Sequence, residues 1–137
     1  MILRDKFWLW GHPEGRYNAE YGNENKSRMT PMEACLYLGI RNTFMVPVGR
    51  KVDRRQYNKS FKTLNGVGWE CYKAGENPEI VEPLIAEAGD FPNINCVVFD
   101  DFVRVYGEVA IKYKDKLGAE GKNIEISNTY CHPKFCP

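Results

Sequence analysis

The sequence predicts an α/β fold made of parallel βα units, and two observations predict it. Predicted strands and helices alternate along the chain in the order β-α-β-α-β-α-β-α-β, which is typical of a parallel sheet with right-handed crossovers. The apolar runs at residues 43–46 and 97–99 do not alternate with polar residues, as expected of strands covered on both faces. Because 137 residues with 43% hydrophobic content suit a single core, we expect one domain spanning residues 1–137.

Five strands are predicted from short apolar or aromatic runs bounded by turn residues. The first ends at a Gly-His-Pro turn and is followed by a long polar loop, about residues 11–29, of the kind that is usually functional or disordered. The fifth alternates polar and apolar residues, which favours a strand with one half-polar face. The predicted strands are residues 7–10, 41–47, 66–72, 94–99 and 122–130.

The clearest local signal is the start of a helix at Thr30. A threonine at the N-cap, Pro31 at the first helical position and Glu33 at the third can satisfy the unpaired backbone donors of the first turn. Gly39 predicts a left-handed stop. Three further helices are predicted, a weak one at residues 53–64, one that opens at residues 77–79 and one at about residues 108–117. Pro83 should either kink the second of these helices or separate its first turn from the rest.

Composition narrows the function classes. The 19 basic and 18 acidic residues nearly cancel, so we expect neither a nucleic-acid nor a membrane partner. No apolar run approaches the ~20 residues of a membrane span, and no signal peptide is predicted. Five scattered cysteines, two of them in apolar segments, favour a reducing compartment, the cytoplasm. Residues 131–136 hold three potential zinc ligands where a structural site needs four, so we expect an exposed tail there.

Known cofactor and nucleophile motifs are not found in the sequence. It has no glycine-rich phosphate loop, no His-Glu-x-x-His pair and no Gly-x-Ser-x-Gly elbow. We therefore expect no cofactor and no resident metal.

Polar and titratable groups lie at the carboxyl ends of the predicted strands. A parallel sheet forms its functional site at these ends. We predict that these groups converge on one rim. They are Trp10 and His12 after the first strand, Glu70 on the third, Asp100 and Asp101 after the fourth, and Asn128 and Tyr130 on the fifth.

The carboxylates are the candidate catalytic groups. Neighbouring side chains of a strand point to opposite faces, so only one of Asp100 and Asp101 is expected to face the site, while the other caps a loop or pairs with a cation. Two solvated turn carboxylates are the structural alternative. Glu70 is the candidate second carboxylate of an acid/base pair. Its alternative is a side chain that leans out toward a helix.

The candidate ligand contacts also have structural alternatives. His12 is interpreted as a donor to a substrate hydroxyl, a general base or a metal ligand, or else as a histidine held by a backbone carbonyl. Trp10, at the end of its strand, can stack on a sugar ring, whereas Trp8 and Trp69 are expected in the core. The basic stretch at residues 50–59 is interpreted as a solvated helix face rather than an anion site.

Four segments carry a resemblance to a known family: LRDKFWLWGHPEG, SRMTPMEACLYLGIRN followed by FMV, VGWE, and PNINCVVFDDF. In this order and spacing, over residues 2 to 130, the chain resembles the N-terminal part of a group of largely uncharacterised bacterial TIM-barrel proteins described as glycosidase-like. The resemblance implies a partial (βα)-barrel of about five strands and a carbohydrate-active protein, with a carbohydrate or other small polar molecule as the ligand. It also implies an acid/base role for Asp100 or Asp101, with Glu70 as the second carboxylate. A pair ~5 Å apart suits a retaining glycosidase and a pair ~6.5–9.5 Å apart an inverting one.

The sequence departs from the family pattern in length. A complete barrel needs about 250 residues, so we expect a gene fragment, a homodimer in which two chains complete one sheet, or an open sheet with an exposed edge. Barrel glycosidases often place their nucleophile after a seventh strand, so little activity is expected of this chain alone. One alternative is a metal-dependent sugar isomerase or epimerase using Glu70, Asp100 and His12; another is a non-catalytic binding or assembly fragment.

Overall fold

The computed structural model describes residues 3–15, 27–74, 77–99, 111, 115 and 125–128. The chain divides into two compact units, Met1–Val67 and Gly68–Pro137. Both described strand pairs are parallel, one in each unit, which confirms the predicted α/β class with parallel strands. The barrel stays a prediction. Among the described residues, no helix combines the length and apolar character needed to cross a membrane.

The first unit is built on a parallel pair of strands. Strands β1 and β2 align with Leu9 opposite Thr43 and Gly11 opposite Met45. Its elements in chain order are a 3-10 turn (Leu3–Lys6), β1 (Leu9–Gly11), α1 (Pro31–Leu38), β2 (Asn42–Met45), α2 (Arg54–Ser60) and a second 3-10 turn (Phe61–Thr63). The helix predicted at residues 53–64 is therefore present, as α2 followed by the second 3-10 turn.

Strand β1 begins two residues later than the sequence predicts. The segment before it is held by a side chain instead of a strand ladder: the buried Asn42 amide donates to the carbonyls of Asp5 at 2.7 Å and Phe7 at 3.0 Å. The aromatic residues of this region pack on β2, since Trp8 stacks on Phe44 with ring centroids 4.5 Å apart.

Helix α1 begins as the sequence predicts. The Glu33 backbone N–H donates to the Thr30 hydroxyl at 3.2 Å, and the Thr30 backbone N–H donates to the Glu33 carboxylate at 2.7 Å. Pro31 occupies the first turn, where its missing donor costs nothing. Gly39 ends the helix at φ 66°, a left-handed conformation that glycine adopts without a side-chain clash.

Gly11 allows α1 to pack closely against the end of β1. A Cβ atom at Gly11 would lie 2.8 Å from Cβ of Pro31 and 3.3 Å from the Phe44 carbonyl oxygen. The pyrrolidine ring of Pro31 is rigid and buried, so it could not yield to a larger residue. The absence of a side chain at Gly11 therefore sets how near the start of α1 lies to the strand.

The second unit contains the most completely buried strands. β3 (Gly66–Glu70) crosses the boundary between the units and is buried at every residue. The elements that follow are a 3-10 turn (Pro78–Val81), α3 (Glu82–Asp90), β4 (Ile94–Phe99) and β5 (Glu125–Asn128). β4 pairs in parallel with β5, with Phe99 opposite Asn128. The apolar core of this unit includes Leu84, Ile85, Val97 and Val98.

The helix predicted to open at residues 77–79 has its first turn separated from the rest, which confirms one of the two predicted arrangements. Asn77 accepts a hydrogen bond from the Glu79 backbone N–H at 3.2 Å and starts the 3-10 turn, and Pro83 then lies in the first turn of α3. The helix predicted at about residues 108–117 lies outside the described residues, except that Ile111 and Asp115 are helical.

Replacing Gly11 with alanine should destabilise the first unit by about 1–3 kcal/mol, because the added methyl group would overpack against the Pro31 ring. Urea unfolding measures the change. Gly89→Ala is the matched control, since a Cβ there meets no atom within 4 Å and alanine favours helix α3 by up to about 1 kcal/mol. Equal effects from the two variants would contradict this account of the α1–β1 contact.

Replacing Thr30 with alanine should cost about 0.5–2 kcal/mol, because the N-cap hydroxyl is lost and the Glu33 N–H loses its partner. The free energy of unfolding in urea measures the loss. Thr63→Ala, at an exposed position of the second 3-10 turn, serves as control and should change stability by less than about 0.5 kcal/mol. An unchanged free energy of unfolding in the Thr30→Ala variant would show that the cap does not contribute to stability.

Candidate functional site

A cavity of about 170 Å³ lies at the carboxyl end of β1. Trp10 and His12, both predicted from the sequence as ligand contacts, line it. Other lining residues come from β1, from the loop that follows it and from the start of α1, and they include Leu9, Gly11, Glu14 and Pro31. The close approach of Pro31 to Gly11 places the start of the helix in the wall of this cavity.

The ring of His12 is held by the end of β2. The Val46 backbone N–H donates to the Gly11 carbonyl at 2.8 Å, and the Val46 carbonyl lies 2.8 Å from His12 Nδ1. Because a carbonyl only accepts, Nδ1 carries the proton, and the lone pair of the neutral ring is then on Nε2. One of the alternatives foreseen from the sequence, a histidine held by a backbone carbonyl, is confirmed, and the same residue lines the cavity.

Trp10 is the exposed tryptophan of the site. It is 38% exposed, and its ring meets the Phe44 ring edge-on at a centroid distance of 5.8 Å. This contact anchors one edge of the indole and leaves part of the ring accessible. Trp69, by contrast, is 1% exposed, which confirms the expectation that it belongs to the core.

Glu14 and Tyr57 form a hydrogen-bonded pair beside the cavity. The Tyr57 hydroxyl donates to Glu14 Oε2 at 2.7 Å, which ties the loop after β1 to helix α2. Burial of the phenol, together with the hydrogen bond to the carboxylate and its negative charge, raises the pKa of Tyr57 to about 12. The tyrosine therefore stays protonated at neutral pH and serves as a fixed donor to Glu14.

A second groove adjoins the cavity and has a volume of about 430 Å³. Glu14 and Thr30 line both spaces, while Glu33 and Gln56 line only the second. The Glu33 carboxylate accepts from the backbone N–H and the hydroxyl of Thr30, and these bonds lower the pKa of Glu33 below its ordinary value. The groove therefore carries a carboxylate that is already engaged as a helix cap.

The predicted carboxylates belong to the second unit. Glu70 is the last residue of β3 and is 8% exposed, and the N–H of the next residue, Cys71, donates to the Val98 carbonyl at 2.9 Å. Asn128 is the last described residue of β5. Asp100, Asp101 and Tyr130 lie outside the described residues, so their roles stay predictions.

Within the described ranges, no three His, Cys, Asp or Glu side chains are placed to hold a metal ion. The isomerase alternative depends on Asp100 and stays a prediction. Cys35 and Cys96 are buried, as their apolar surroundings in the sequence predict. Burial raises the pKa of the Cys35 thiol, partly opposed by a hydrogen bond from Thr43, so this sulfur is a poor nucleophile at neutral pH.

Sequence reasoning missed Glu14 and Tyr57 as site residues. Glu14 follows His12 by two positions in the loop after the first strand, so the general rule that parallel sheets form sites in such loops could have included it. Tyr57 has no comparable signal, because it lies 43 residues from Glu14 in a segment with weak helical character.

No protein-family model, curated protein or solved structure matches the chain. The resemblance to glycosidase-like barrels therefore rests on the quoted sequence segments.

Removing the Tyr57 hydroxyl should lower stability at pH 8 but not at high pH. The folded-state pKa of Tyr57 is about 12, whereas the ordinary value is 10.0. The hydroxyl therefore makes its full contribution to folding stability below about pH 10, and this contribution is lost as the pH rises through 12. Tyr57→Phe should cost about 0.5–1 kcal/mol at pH 8, and the difference from the parent chain should shrink between pH 10 and 12. Urea unfolding at several pH values measures this difference.

Tyr37→Phe is the control for this experiment, because Tyr37 is 81% exposed on α1. Its stability should follow that of the parent chain at every pH. A Tyr57→Phe deficit that stays constant up to pH 12 would contradict a hydrogen bond between the phenol and Glu14.

Proposed function

We propose that the chain is a carbohydrate-binding protein of the glycosidase-like (βα)-barrel type, and that the cavity at the end of β1 holds a pyranose ring. One observation carries the proposal: a single cavity is lined by a partly exposed tryptophan, a histidine and a carboxylate, namely Trp10, His12 and Glu14. Aromatic, imidazole and carboxylate groups together match the apolar faces and hydroxyl edges of a sugar.

The size of the cavity supports a single six-membered ring. An apolar protein cavity of ~150 Å³ accepts benzene, and this cavity measures about 170 Å³. A pyranose has a ring of the same member count with hydroxyl groups at its edge. The cavity therefore has room for one six-membered ring.

The polar groups of the cavity suit a ligand with several hydroxyl groups. An ionised Glu14 carboxylate only accepts hydrogen bonds and has about four acceptor positions, one of which is used by Tyr57. His12 lines the cavity with its ring held by the Val46 carbonyl, and an imidazole can form hydrogen bonds with sugar hydroxyl groups. The indole of Trp10 supplies the flat apolar surface against which the C–H face of a sugar can pack.

The fold supports the same location. Parallel βα units form their sites at the carboxyl ends of the strands, and the cavity lies where β1 ends and just beside the residue that follows β2. Sequence resemblance to glycosidase-like barrels points to the same ligand class.

Hydrolysis is a separate part of the proposal. It needs two carboxylates flanking the scissile bond, and we assign these roles to Glu70 and to Asp100 or Asp101. Glu70 is the member that the structure describes, a buried carboxylate at the end of β3. Because binding at β1 does not depend on this chemistry, binding is the property to test first.

Binding should be detected by titrating the ¹⁵N-labelled chain with a panel of methyl pyranosides and recording its NMR spectrum. At least one sugar should shift the Trp10 indole N–H and the His12 signals. Trp10→Ala should lower the affinity for that sugar about tenfold, because the lost stacking contact is worth about 1.4 kcal/mol.

Tyr37→Ala provides the matched control, an equally aromatic but largely exposed residue on α1 that does not line the cavity. It should leave the affinity unchanged. Undiminished binding by Trp10→Ala, or shifts confined to residues far from the cavity, would contradict the proposed site.

A further inference from the structure

The cavity at the end of β1 and the second groove share a wall. Glu14 and Thr30 line both spaces, so the two spaces adjoin at these residues. The two spaces differ in character: Trp10 and Pro31 line the first, whereas Gln56 and Ser60, both exposed and polar, line the second. This combination describes a cleft with two distinct halves.

The shared wall is held in place by packing as well as by hydrogen bonding. Tyr57 donates to Glu14 Oε2 at 2.7 Å, and its ring lies against the ring of the fully buried Phe61 with centroids 5.9 Å apart. Thr30, the other shared residue, is fixed by its capping bonds to Glu33. Both shared residues are therefore positioned before any ligand arrives, which lowers the entropic cost of binding.

The size of the second groove exceeds what a single ring needs. Its volume of about 430 Å³ is more than twice the ~150 Å³ that accommodates a six-membered ring. Its polar groups include the Gln56 amide, which donates and accepts hydrogen bonds, and the Ser60 hydroxyl, which donates to the Tyr57 carbonyl at 2.7 Å and can accept a further hydrogen bond. Met32 and Tyr57 also line the groove, so a ring with hydroxyl groups can combine hydrogen bonds with apolar contacts there.

From this geometry we infer that the two spaces are adjoining subsites of one cleft, and that its ligand contains at least two linked pyranose rings. One ring lies beside Trp10 and His12, the other lies beside Gln56 and Ser60, and the Glu14 carboxylate accepts hydroxyl groups near the linkage between them. The inference rests on the proposed function, because it assigns a chain length to the same carbohydrate ligand. Tyr57 acts in it as a positioning residue for Glu14.

The test compares ligands of two lengths on the full chain. Methyl glucoside, methyl xyloside and methyl mannoside are each titrated beside the β-1,4-linked disaccharide of the same sugar, with affinities from calorimetry and binding positions from NMR. For the sugar that binds, the disaccharide should bind at least tenfold more tightly. The monosaccharide should shift Trp10 and His12, and the disaccharide should also shift the side-chain amide of Gln56.

Substitutions then separate the subsites. Gln56→Ala should lower the affinity for the disaccharide at least fivefold and leave the affinity for the monosaccharide unchanged. Glu14→Gln should lower the affinity for both ligands. Lys59→Ala is the matched control, since Lys59 is exposed on the same helix α2 but does not line the groove. All three positions are exposed, so the variants should keep the fold, which the NMR spectra check.

The outcomes distinguish this inference from the proposed function. If disaccharide and monosaccharide bind equally and Gln56 does not respond, the two-subsite cleft is wrong and the single-ring site stands. If Gln56→Ala weakens both ligands to the same extent, the division into subsites is likewise wrong. If none of the six sugars binds, both the cleft and the proposed function are overturned.

Discussion

The first unit depends on how closely the start of α1 approaches the end of β1. That approach requires a residue without a side chain at Gly11, because a Cβ atom there would lie 2.8 Å from the buried Pro31 ring. It also requires a helix that begins at a defined residue, which the Thr30 cap provides. Since a rigid ring meets a bare strand backbone, the contact tolerates little variation. The cavity beside β1 owes its walls to this contact.

Two long-range hydrogen bonds convert that backbone arrangement into a chemical site. The carbonyl of Val46 orients the imidazole of His12, and the hydroxyl of Tyr57 orients the carboxylate of Glu14. In both cases the group that can meet a ligand is held by a partner from a later element, the end of β2 for His12 and helix α2 for Glu14. Such positioning is what distinguishes a site from a group of polar residues on a surface. The aromatic contact between Trp10 and Phe44 holds the third side chain in a similar way.

The proposed carbohydrate function separates into a binding part and a chemical part. Binding draws on the first unit, where Trp10, His12 and Glu14 line one cavity. Chemistry draws on carboxylates that follow later strands, of which Glu70 is a buried example at the end of β3. A protein that binds a sugar in the first unit has a function whether or not hydrolysis accompanies it. In the two-subsite inference, the cavity and the second groove set the length of the ligand and leave the reaction to the carboxylates.

The sequence by itself determined the local features of this protein. The capped start of α1 involves residues only three positions apart, and the left-handed stop at Gly39 needs a single residue. The apolar residues of β4 predict that this strand is buried. The sequence predicted Trp10 and His12 as site residues, but only the tertiary structure decided which partners hold the polar groups of the site. Tyr57 meets Glu14 across 43 residues and His12 meets Val46 across 34, and neither contact repeats with a helical or strand period. Such pairs depend on how β1, β2 and α2 align in space, which local patterns of residues do not encode.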